Sequence, residues 1–130
     1  MCDMSATIEK PPKVLHVLGS LNRGGVETWL MNIARTTSRD QMPMEICLLT
    51  RGSDPGAYAA EFESLGGVIH RCPLSKNLLD FGKRFRRLLR EGQFDIVHSH
   101  VHHFSGYILR LAEKEDVRGR MAHSHNDTRR

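Results

Sequence analysis

Val14-Leu15-His16-Val17-Leu18-Gly19-Ser20-Leu21-Asn22-Arg23-Gly24-Gly25-Val26-Glu27 is the stretch that decides how this chain is read. Five nearly continuous apolar positions stop at a glycine, as a strand buried on both faces does. Twin glycines follow. Val26, Trp29, Leu30 and Ile33 then recur at helical spacing, which predicts a helix over residues 26–37. A buried strand, a glycine turn and an amphipathic helix open a β-α-β unit.

The same alternation continues outward from there. Residues 44–50, rich in Ile and Leu, read as a second strand, and Asp54-Pro55-Gly56 supplies turn chemistry. A short helix over residues 57–65 stops at Gly66-Gly67, and residues 68–72 form a third strand closed by Pro73. A third helix, residues 77–91, sets Leu78, Phe81, Phe85, Leu88 and Leu89 on one face and ends at Gly92. Residues 94–100 form strand four, residues 105–115 helix four and residues 120–125 strand five. Alternating strands and helices predict an α/β fold: a single Rossmann-like domain with helices on both faces of a parallel sheet. Right-handed crossovers give the order 3-2-1-4-5, with the switch point between strands one and four. The expected domain is residues 13–130, and residues 1–12, which end in Pro11-Pro12, are expected to be a disordered lead-in.

Composition narrows the function classes. The 130 residues suffice for one core but not for two domains facing across a cleft. Three widely spaced cysteines without a CxxC pair indicate neither a disulfide framework nor a cysteine zinc site, and fit a reducing, cytoplasmic setting. Neither a signal peptide nor a membrane-spanning run is apparent. The formal charge of +4 is uneven, −2 over residues 1–65 and +6 over residues 66–130. Lys83, Arg84, Arg86, Arg87 and Arg90 lie opposite the apolar stripe of helix three. They read either as a solvated face or as a surface that rests on anionic lipid at the inner face of the plasma membrane. Nucleic acid is not expected, because few aromatics interleave with the charges and no nucleic-acid motif is present.

Ligands of parallel α/β sheets gather outside the carboxyl ends of the strands at the switch point. Three sets of residues stand there. After strand one, Gly24-Gly25 at a helix start lets backbone N–H groups approach a phosphate or diphosphate, and Arg23 adds charge. The pattern is neither a Walker loop nor G-x-G-x-x-G. The competing structural role is a glycine turn that lets the helix pack close to the sheet. After strand four comes His98-Ser99-His100-Val101-His102-His103, and after strand five His123-Ser124-His125-Asn126-Asp127. Six of the eight histidines thus fall at two neighbouring strand ends, suited to sugar hydroxyls and phosphate oxygens. His98 and His100 share a side of their strand, as do His123 and His125. His98 and His123 suit packing roles; His100 and His125 stand nearer the tips. A rival reading takes His98, His100 and His103 as zinc ligands, since the run nearly matches the H-x-H-x-D-H box of metallo-β-lactamase-type hydrolases. That family's largely antiparallel sheet and missing carboxylate ligand argue against it.

Taken in order, these motifs resemble the N-terminal domain of family 4 glycosyltransferases over residues 13–130. The motifs are Gly24-Gly25-Val26-Glu27 opening a helix, Phe94-Asp95-Ile96-Val97-His98-Ser99-His100, and Ala122-His123-Ser124-His125. The wording around residues 15–28 looks most like bacterial enzymes of exopolysaccharide and lipopolysaccharide assembly. The resemblance implies half of a GT-B fold and retaining transfer from a nucleotide-sugar donor to a glycan or lipid-linked acceptor, with no cofactor and no metal. It implies that Gly24 and Gly25, with Arg23, approach the donor diphosphate. It also implies that His100 lies beside the acceptor, with His102 and Asn126 expected there too, and that His125 lies at the reacting sugar as the candidate catalytic residue. The C-terminal donor domain of that family is absent from the sequence, so the expectation is a fragment or a degenerate gene product, inactive alone. A non-catalytic module binding phosphate or membrane is the alternative.

Overall fold

Short strands at β1 (Val14–Leu18), β2 (Met44–Leu48), β3 (Val68–Arg71) and β4 (Ile96–Ser99), each opening on an apolar residue, and a more exposed β5 (Gly119–Ala122), build the sheet of the computed structural model. The structure describes residues 11–19, 25–37, 43–50, 56–74, 76–101 and 104–122. The helices are α1 (Gly25–Thr36), α2 (Ala59–Ser64), α3 (Leu78–Gly92) and α4 (Ser105–Lys114). All five strands join in one sheet of order β3-β2-β1-β4-β5, parallel at every pairing. Fold class and strand order are therefore those the sequence predicts.

Strand alternation sorts the core into two layers. Leu15 and Val17 of β1 join Cys47, Val97, Phe81, Phe85, Leu89, Ile108 and Leu111, so α3 and α4 cover this face. Leu18 joins Ile46, Leu48, Leu30, Met31 and Phe62, so α1 and α2 cover the other. Each fully buried side chain of this size stabilises by roughly 1.5–3 kcal/mol relative to exposure.

Three local expectations are corrected. Gly92 does not stop α3; it is the last helical residue, and Gln93 takes the left-handed cap at φ 52°. Glycine is needed at 92 for another reason, since a Cβ there would lie 2.2 Å from the ring of Phe94. Leu78 does not belong to the buried stripe, because it is the first residue of the helix and is exposed. Trp29, expected on the buried face of α1, is 44 % exposed, while Leu30 and Met31 are the buried pair. Of the expected lead-in only Pro11 and Pro12 fall among the described residues, both exposed. Strand five is described to Ala122.

Candidate functional site

The carboxyl ends of β1, β2 and β4 meet at one rim. Leu49 and Thr50 donate backbone hydrogen bonds to the carbonyls of Leu18 (2.9 Å) and Gly19 (3.0 Å), and His100 donates to Val17 (3.0 Å). These bonds carry the chain past the end of each strand and shape an open cavity of about 410 Å³. Gly19, Leu49, Thr50, Leu74, Val101 and Phe104 line it. It sits where ligands of parallel sheets gather.

On the α1 side of the same rim the structure assembles a group of imidazoles. His98 of β4 and His100, one residue past its end, are two apart in extended chain and project from one face, their rings stacked at 4.1 Å. The parallel register makes His16 of β1 the Cα partner of His98. His16 Nδ1 and His100 Nε2 are hydrogen-bonded at 3.1 Å. All three side chains are buried. Burial, and then the neighbouring His98, push the His16 pKa down to about 3, so its ring is neutral near pH 7. Trp29 stands edge-on to both His16 and His100, at 6.5 Å from each ring centre. Its helix begins one turn earlier at Gly25, on the same stripe.

Of the catalytic and substrate-binding residues expected from the sequence, Gly25 and His100 are described: His100 is part of the imidazole group, and Gly25 opens the helix whose Trp29 meets it. Arg23, Gly24, His102, His125 and Asn126 lie outside the described residues. A Cβ built on Gly25 meets nothing within 4 Å. Among the described residues, therefore, none packs closely enough against position 25 to require a glycine there. His98 is buried, as a packing role requires, but His100 is buried with it and touches it. The residue that sequence reading missed is His16. Its signal was parity: in an order that sets strand one beside strand four, the single polar residue of a buried run faces the His-x-His pair.

The zinc-hydrolase reading loses its fold, since the sheet is parallel throughout. His103 lies outside the described residues, and the imidazole that meets His98 and His100 is His16. The basic residues of α3 are largely paired. Arg86 and Arg90 both reach Glu115, at 2.6 and 2.9 Å, while Arg84 reaches Asp80 and Arg87 reaches Glu91. Lys83, Arg84, Arg87 and Arg90 line an open groove of about 310 Å³. No helix among the described residues is long and apolar enough to cross a membrane.

Comparison with known proteins adds the family. Residues 23–129 match the model of Glycosyltransferase Family 4. The chain is 39% identical over 117 residues to EpsF of Bacillus subtilis (strain 168), a glycosyltransferase by name. It is 32% identical over 111 residues to CapH of Staphylococcus aureus, named a capsular polysaccharide biosynthesis glycosyltransferase. The matches cover 88% and 85% of this chain but 30% of each relative, so the chain spans about a third of their length. Among solved structures it resembles the C-terminal domain of the PF1911 hydrogenase from Pyrococcus furiosus, with a TM-score of 0.58 at 16% identity. That match covers 95% of this chain and 99% of the other, a likeness of fold alone.

Proposed function

Because the chain belongs to glycosyltransferase family 4, we propose that residues 13–130 form the acceptor-side domain of an enzyme of surface polysaccharide synthesis. That enzyme moves a sugar from a nucleotide-sugar donor to a glycan or lipid-linked acceptor. The observation that carries the proposal is the rim itself. Gly25 opens α1 with no close neighbour among the described residues, and His100, just past the end of β4, meets the same helix through Trp29.

In this reading the N–H groups at the start of α1, with Gly24 and Arg23, face the donor diphosphate. The leaving diphosphate gains charge as the glycosidic bond breaks, and donors already aimed at it lower the barrier without reorganising. His100, His102 and Asn126 hold acceptor hydroxyls, and His125 lies at the reacting sugar. The diphosphate is held by backbone donors, and no cofactor enters the reaction. The name of CapH, a capsular polysaccharide biosynthesis glycosyltransferase, supports the polysaccharide setting.

The test is turnover. The complete gene product that contains this chain is incubated with a panel of nucleotide sugars and lipid-linked acceptors, and release of the nucleotide is followed. Sugar transfer, with donor binding weakened at least about tenfold in Gly25→Trp, is the expected result, since a bulky side chain there blocks close backbone approach. Absence of transfer across the panel, or donor binding indifferent to Gly25→Trp, would overturn the proposal.

The finer proposal for α3 is that its groove of Lys83, Arg84, Arg87 and Arg90 rests on anionic lipid at the inner face of the plasma membrane, where a lipid-linked acceptor resides. Sedimentation with phosphatidylglycerol vesicles at low and high salt tests it. Binding that fades with salt supports it, and no binding at low salt removes it.

A further inference from the structure

His16, His98 and His100 each offer a ring nitrogen, and these atoms all lie within 4.8 Å of one another. The transferase reading uses only His100, at the edge of this group. We propose that the three imidazoles bind one Zn²⁺ ion between β1 and β4.

The three nitrogens are close enough to share one ion. The His-x-His pair of β4 presents two nitrogens from one side of the strand, and the neighbouring strand supplies the third in register with His98. Zinc holds imidazole nitrogen at about 2.0–2.1 Å, which sets two ligands at a tetrahedral angle about 3.3 Å apart. His16 Nδ1 and His100 Nε2 already stand 3.1 Å apart. The rings are stacked, His98 on His100 at 4.1 Å and His16 on His100 at 5.3 Å, so binding requires them to turn about their side-chain torsions until the three lone pairs meet at one point. Without an ion, one ring of that pair donates its proton to the other. With the ion, both lone pairs turn to the metal, and the donor ring carries its proton on its other nitrogen.

The donor chemistry selects the metal. An all-imidazole set suits zinc, cobalt, nickel and copper, and does not suit magnesium or calcium, which take oxygen ligands. Three ligands leave a fourth position for water or an anionic oxygen. The ion would link segments 84 residues apart in sequence, at the point where the order of strands reverses. It braces the rim and enters no step of sugar transfer; it shares His100 with the transferase reading, and a metal titration reads the site without any assay of transfer.

The experiment uses the untagged 130-residue chain, stripped of metal and titrated with Zn²⁺ by calorimetry and with Co²⁺ by absorption. Trp29, the single tryptophan, reports on the site because it lies 6.5 Å from two of the rings. Expected are one equivalent of Zn²⁺ with a dissociation constant below about 10 µM, tetrahedral Co²⁺ bands, Trp29 quenching by Co²⁺, and a melting temperature that rises with Zn²⁺. His16→Gln, His98→Gln and His100→Gln should each weaken binding at least about tenfold, since even an outer-shell partner is worth that. His70→Gln should leave it unchanged. If a glutamine variant fails to fold, His100→Cys decides, because a thiolate keeps the site and adds a sulfur-to-cobalt charge-transfer band in the near ultraviolet. No binding at about 100 µM Zn²⁺ would overturn the proposal. So would binding unchanged by His16→Gln but abolished by replacing His102 and His103, or His123 and His125, with glutamine. So would His100→Cys that binds Co²⁺ without the sulfur band.

Discussion

Glu45 lies buried in β2, with Lys13 Nζ at 3.2 Å and His70 Nε2 at 2.5 Å. Burial alone would raise its pKa, but hydrogen bonds from His70 and Lys13, together with their charges, outweigh it and hold the carboxyl below its ordinary 4.5. The unfolded chain therefore takes up this proton first as pH falls. The stability contributed by Glu45 is complete above the unfolded value and is lost as pH drops through the lower folded one. Calorimetry should show Glu45→Gln melting below the wild type at pH 7, with the gap closing below about pH 4.5. A gap that stays constant across that range would refute the assignment. The sequence gives no hint of this contact, because a glutamate in an apolar strand finds its partners only after β2 and β3 pair. The rim histidines were more legible. His98 and His100 announce themselves by spacing, whereas His16 sits inside an apolar run and gains meaning only from the register that sets it opposite His98.

Element by element, the periodicities named every helix and strand; two of the three misreadings lie at the ends of α3, and the third is the exposed Trp29 within α1. By its identity alone Gly92 reads as a helix stop. In the fold its missing side chain makes room for Phe94, 6 % exposed, and the stop passes to Gln93. Gly92→Ala should accordingly destabilise by about 1–3 kcal/mol through overpacking, despite the better helix propensity of alanine. A denaturant melt equal to wild type would contradict this. The basic face of α3 was legible as charge but not as pairing. Glu115, just past α4, accepts from both Arg86 and Arg90 and ties the two helices together. Glu115→Gln frees one net positive charge on that face. If the face meets anionic lipid, vesicle affinity should rise roughly fivefold at low salt, about 1 kcal/mol per basic charge released. An unchanged or weaker affinity, in a variant still folded by circular dichroism, would count against the lipid surface.

For the whole molecule, strand order was legible because right-handed crossovers leave few ways to wind alternating strands and helices, and the twin glycines mark the switch point. What remained illegible is how much of the catalytic apparatus one sheet carries. The chain spans 30% of the relatives' length, and its rim is an open cavity rather than a closed cleft. A transferase gains much of its rate by fixing donor and acceptor together, an advantage that reaches effective molarities of about 10⁵–10⁸ M in well-oriented systems. One rim orients one face of the substrates and leaves the other to water. The 130-residue chain alone should therefore hold nucleotide sugars only weakly, in the millimolar range or above, and release no nucleotide above the uncatalysed background. The complete gene product under the same conditions should turn over. Continuous assay of nucleotide release from both proteins distinguishes the cases. Turnover by the chain alone within about 100-fold of the complete protein would mean that a single parallel sheet supplies the orientation, and that catalysis here needs no facing domain.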